Sequence, residues 1–148
     1  MALHIYNMDC MEFMKGCKDA EFDLAICDVP YGDAGDVVHA SKGGRFAKYG
    51  EGARRWDIAP GEDYFKELFR VAKYHIIWGG NYFDLPPSRN FIVWRKLSIS
   101  QSFSMAMVEQ AWTDINGNAK YFECIPQDKG RFHPTEKPVK LYAWLLAT

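Results

Sequence analysis

At 148 residues the chain has room for one domain with a real core, and 48% hydrophobic with 25% charged residues excludes a disordered or fibrous polypeptide. Eighteen Lys and Arg against nineteen Asp and Glu leave a net charge of -1, which excludes a uniformly basic nucleic-acid coat but not a local basic patch. No run approaches the ~20 apolar residues that span a bilayer, and Leu3 to Tyr6 meets polar Asn7 and Asp9 too soon for a signal peptide. Cys10, Cys17, Cys27 and Cys124 form no C-x-x-C pair and no zinc spacing, so a cytoplasmic protein without structural metal is expected.

His4 to Tyr6 reads as a short strand, and Cys10 to Lys18 as a helix with Met11 and Met14 on one face, weakened at Gly16. Phe22 to Cys27 is apolar and short, as a strand buried on both faces would be. Proline and glycine in Asp28-Val29-Pro30-Tyr31-Gly32 stop it, and a polar, glycine-rich loop follows over 33–61. Glu62 to Lys73 returns to a helical period, with Phe65, Leu68, Phe69 and Ala72 on one side. Tyr74 to Trp78 and Phe91 to Trp94 are further buried-type strands, and Glu109 to Trp112 and Lys120 to Cys124 read as shorter ones. A polar connector, Pro126 to Lys137, leads to Pro138 at the N1 position of an apolar helix, Val139 to Ala147. Strands alternating with helices predict a single α/β domain over 1–148 with a mostly parallel sheet flanked by helices.

In open α/β sheets ligands bind outside the carboxyl ends of the strands, where Asp28 to Tyr31 falls. Asp28 offers an acceptor for an amino group, Pro30 stiffens the turn, and Tyr31 offers a flat π-face, the set that an exocyclic purine amine needs. The same tetrapeptide could simply terminate a strand and fill a groove. Two further segments bear on the choice. Trp78-Gly79-Gly80-Asn81-Tyr82-Phe83 follows the second buried strand, and His133-Pro134-Thr135-Glu136-Lys137-Pro138 precedes the last helix.

In this order the three segments resemble the β-class of amino-methylating DNA methyltransferases, most of all the small, solitary phage and bacterial adenine-N6 enzymes; the likeness runs from Ile5 to Leu146. The resemblance implies an incomplete Rossmann-like fold that takes a methyl group from S-adenosylmethionine and places it on the N6 amine of a flipped adenine in double-stranded DNA. Asp28 matches the acidic residue that accepts from the amine, the carbonyl of Val29 would be the second acceptor, and Tyr31, with Pro30 beside it, would stack on the base. Val29 stands where the family has proline, which loosens the turn without removing the acceptor. Thr135, Lys137 and Pro138 match the motif bordering the cofactor pocket, Asp9 matches an acidic cofactor contact or else a helix cap, and Gly79, Gly80 and Asn81 match a pocket-wall segment or else a turn.

From His39 to Trp56 the loop carries Lys42, Arg45, Lys48, Arg54 and Arg55 against the single Glu51, a local charge of +4, interleaved with Phe46, Tyr49 and Trp56. Basic side chains for phosphates and aromatics for exposed bases suit DNA contact, though charge runs are usually solvated faces. The family's glycine-rich cofactor loop, which follows the last helix there, has no counterpart in these residues, so the strand carrying Asp28 is expected to have one uncovered edge. A truncated product, completion by another chain or self-association along that edge, and a non-catalytic DNA-binding fragment would each account for this. A cytosine-N4 enzyme is a further alternative.

Overall fold

The computed structural model describes residues 3–32, 57–102, 106–126 and 135–148. Helix α1 (Cys10–Lys15) starts because the Asp9 carboxylate accepts the orphan N–H groups of Met11 at 2.8 Å and Glu12 at 3.1 Å, and it ends at Gly16. Strand β1 (Phe22–Asp28) follows. Helix α2 (Glu62–Val71) has Glu62 and Asp63 in its first turn and Arg70 in its last, the arrangement the helix dipole favours. It passes without a loop into β2 (Ala72–Trp78), where the backbone turns extended at Ala72. A 3-10 turn, Gly80–Tyr82, leads towards β3 (Phe91–Lys96). Strands β4 (Val108–Thr113) and β5 (Lys120–Cys124) and helix α3 (Val139–Ala147) complete the described elements.

The strands form one sheet in the order β1-β2-β4-β3-β5. The pairs β1–β2 and β3–β5 are parallel, whereas β2–β4 and β3–β4 are antiparallel. The sheet is therefore mixed, not mostly parallel as expected. The reason lies in β4, which returns from β3 with no intervening helix described and inserts between β3 and β2, so it must run against both. The other four strands share one direction. Strand β1 is paired only with β2 among the described residues, and Leu24 to Cys27 are half-buried, not covered on both faces.

Side-chain alternation sends the strands' apolar residues to two cores. Ile76, Trp78, Ile92, Trp94 and Ala111 pack with Leu141 and Leu145 of α3 on one face. On the other, Ile77 packs with Met14 of α1 and with Leu68 and Val71 of α2. Two sequence expectations fail here. Leu3 to Asp9 contains no strand: no neighbour among the described residues offers a ladder, and Leu3 and Ile5 are 85% and 84% exposed. Pro138 is the residue before the helix, with extended backbone (ψ 139°), rather than its first helical residue. No helix among the described residues is long and apolar enough to cross a membrane.

Candidate functional site

The register of the sheet sets four side chains on one face at the end where β1, β2 and β3 finish. Asp28 pairs with Trp78, Trp78 with Ala111, and Glu109 with Trp94, two residues before Lys96. Period-two alternation puts Asp28, Trp78, Glu109 and Lys96 on the face that α3 covers. The chain then delivers Lys137 to this face just before α3 begins, with its side chain only 5% exposed. Its ammonium forms a very short contact with Asp28 Oδ1, donates to the Tyr31 hydroxyl at 3.3 Å and lies 3.1 Å from Glu109 Oε2. It also rides over the Trp78 ring, 5.3 Å from the centroid. Lys96 holds the other Glu109 oxygen, Oε1, in a second short ion pair.

Two carboxylates and two ammoniums thus share a largely buried network, in which desolvation must be offset by pairing. The balance differs between the two acids. Burial pushes the Asp28 carboxyl above its ordinary value despite the opposing pull of Lys137, and the negative charge of Glu109 adds to the rise. Burial also acts against charging Glu109, but Lys137 and Lys96 together outweigh it and hold that carboxyl below the usual range. Glu109 is the firmer anion. Burial, with the nearby charges of Glu109 and Asp28, keeps the Tyr31 phenol protonated far above its ordinary pKa.

The turn after β1 places Tyr31 against the turn after β2. Gly32 adopts φ 79°, the left-handed region, and its N–H donates to Asp57 Oδ1 at 3.3 Å. Gly79 adopts φ 70°, and a Cβ there would fall 2.2 Å from Tyr31 Cε1. A Cβ at Gly80 would fall 2.4 Å from Trp112 Cβ. These two glycines therefore serve close packing of the protein on itself. Tyr82 stacks on Tyr31 at 4.8 Å between centroids, 16° from parallel.

Of the residues singled out in the sequence, Asp28, Tyr31 and Lys137 converge, and Val29 and Pro30 form the half-buried turn between the first two. Asp9 is a helix cap. Asn81 is exposed within the 3-10 turn, Thr135 is exposed, and Pro138 is buried. Lys42, Arg45, Lys48, Arg54 and Arg55, and also His133 and Pro134, lie outside the described residues. Glu109 and Lys96 escape the sequence reading. Their one signal is charge placed at inward positions of strands, which alternation reveals only once register is known. A shallow cleft of about 440 Å³ lies elsewhere, lined by Pro86, Pro87, Trp112 and Asn116 among others. Comparison with family models, curated proteins and solved structures finds no match for this chain.

Proposed function

We propose that this chain carries the amine-gripping part of a DNA methyltransferase acting on adenine N6, within a Rossmann-like fold. One observation carries the reading: Asp28, at the carboxyl end of β1, already holds a nitrogen donor beside the ring of Tyr31. A flipped adenine would present the same donor chemistry, with N6 hydrogens to the Asp28 carboxylate and the Val29 carbonyl and its ring over Tyr31. Two acceptors on the amine hold it in place and favour positive charge developing on nitrogen, and holding it in line supplies most of what the protein contributes. The parallel β1–β2 pair, joined through α2, supports the Rossmann-like assignment.

S-adenosylmethionine would supply an electrophilic methyl group in such a reaction. Of the described residues assigned to it, Asp9 caps α1 and Lys137 pairs with Asp28 and Glu109, while the space beside Gly79 and Gly80 is filled by Tyr31 and Trp112. The same observation favours a second reading, a DNA-binding fragment without catalysis. We expect calorimetry to find weak or no S-adenosylmethionine binding by the purified chain, and micromolar binding would overturn that expectation.

The deciding experiment is transfer of a radiolabelled methyl group to double-stranded DNA, followed by digestion and base analysis. Label in N6-methyladenine, lost in Asp28→Ala and Tyr31→Ala, supports the proposal. Label in N4-methylcytosine assigns the other base. Salt-sensitive DNA binding without label supports the fragment reading. A cytoplasmic setting, and contact of the 33–61 loop with duplex DNA, belong to the same proposal.

A further inference from the structure

The site holds an amine of its own. Lys137 Nζ occupies Asp28 Oδ1, the oxygen that an entering nucleobase amine would use. We propose that Lys137 is a built-in occupant of the amine slot, and that Glu109 is the positioning residue that draws its ammonium off Asp28 when a nucleobase amine enters. The inference rests on the amine-site reading above and adds to it a residue and a movement.

Three observations support the exchange. The Lys137 side chain is 5% exposed, so an ammonium displaced from Asp28 has to find its next partner inside the protein. Glu109 Oε2 is that partner: it is buried, it accepts no hydrogen bond, and it already lies 3.1 Å from the ammonium at an ion-pair distance. An ammonium has three protons and spends two on Asp28 and Tyr31, so a small rotation would align the third on the Glu109 oxygen it already pairs with. The Trp78 ring lies between the two carboxylates in the sheet, which lets the cation keep an aromatic face beneath it as it moves. Lys96, meanwhile, anchors Glu109 through Oε1, so the ammonium moves and the carboxylate stays.

The test compares binding of two duplexes that differ at one base opposite an abasic site, adenine or unsubstituted purine, which lacks the amine. Wild type should prefer adenine by about tenfold, the worth of a charge-assisted hydrogen bond. Glu109→Gln leaves Asp28 as the ammonium's one anionic partner among the four groups named here and should abolish most of that preference, whereas Glu109→Asp should largely retain it. Removing the occupant in the double variant Glu109→Gln, Lys137→Met should restore the preference, a reversal that a purely structural role for Glu109 would not produce. A Glu109→Gln protein that discriminates like wild type, or a double variant no better than Glu109→Gln, overturns the inference. In wild-type protein the ¹³C carboxylate resonance of Glu109, assigned by its loss in Glu109→Asp, should shift with the adenine duplex and not with the purine one. An unchanged resonance overturns the exchange even if Glu109→Gln fails to fold. Equal binding of both duplexes by wild type and Asp28→Asn overturns the amine-site reading, and the inference falls with it.

Discussion

Tyr82 lies nearly parallel over Tyr31, 16° from coplanar with centroids 4.8 Å apart, while the opposite turn brings Gly79 against the same phenol ring. The ring proposed as a platform for a base is thus already used as a platform by the protein. A base inserted between two rings needs roughly twice the spacing of a single stack, and the stacked pair does not provide it. Tyr82 is half-exposed, on a 3-10 turn with no side-chain cap, so it is the partner that can leave.

Tyr82→Ala should therefore cost only about 0.5–1.5 kcal/mol of stability, the worth of an aromatic pair. It should also tighten binding of a duplex carrying extrahelical 2-aminopurine, because the Tyr31 face is released in advance. Fluorescence quenching of the 2-aminopurine measures this directly. Weaker binding by Tyr82→Ala would show that the two tyrosines sandwich the base instead.

Gly79→Ala tests the other side of the ring. Left-handed backbone costs an alanine about 1–2 kcal/mol, and overpacking typically costs another 1–3 kcal/mol. The ring of Tyr31 stands where the methyl group would go and is already held by Tyr82, so relief requires moving both aromatics. The expected loss is about 2–5 kcal/mol in chemical denaturation, with reduced adenine binding in whatever folds. A near-neutral Gly79→Ala would show that the ring is not held there.

The strands and helices were legible in the sequence wherever apolar period and punctuation agreed. Lys120 to Cys124 and Val139 to Ala147 have the boundaries read from the sequence, and β1 to β4 differ only by a residue or two at their ends. Direction was not legible. Nothing in Val108 to Thr113 says that it inserts between β2 and β3, because insertion depends on which edge is open when the chain returns. The site divides in the same way. Asp28, Tyr31 and Lys137 stand out in the sequence by motif, whereas Glu109 becomes meaningful only because register puts it on the face of Asp28 and Trp78, two residues from Ala111, the partner of Trp78.

Arg70 joins α2 to the segment after α1. Its guanidinium donates to the carbonyls of Met14 at 2.7 Å and Cys17 at 2.9 Å, and it pairs with Glu67 and Asp19. The ion pairs are partly solvated and contribute little; the Met14 carbonyl, in the last turn of α1, also accepts from the Cys17 N–H at 3.0 Å, whereas the Cys17 carbonyl lies just past the helix. Arg70→Met keeps the stem and removes the fork, and should lower the melting temperature mainly through the Cys17 carbonyl left behind. Arg70→Lys should recover less than half, since one ammonium cannot span both oxygens. Thermal unfolding of the pair separates bond loss from charge loss, because a charge-only effect would make Arg70→Lys wild-type-like.

Acid should affect the two carboxylates of the network in opposite directions. Glu109 has a folded pKa below its unfolded value, so the stability it provides is present above the unfolded value of about 4.3 and is lost as pH falls through the folded one. Asp28 has a folded pKa above its unfolded value of about 3.9, so the folded state binds its proton first and gains stability as pH falls through the folded pKa towards that unfolded value. Chemical denaturation from pH 7 to pH 3 should accordingly show Asp28→Asn losing the upward slope on mild acidification, and Glu109→Gln losing the steeper acid decline that follows. Adenine preference in wild type should fall with the first of these steps, because a protonated Asp28 no longer offers a full acceptor to the amine. Preference that instead persists until Glu109 titrates would mean that the carboxylate gripping the amine is Glu109, with Asp28 as its support.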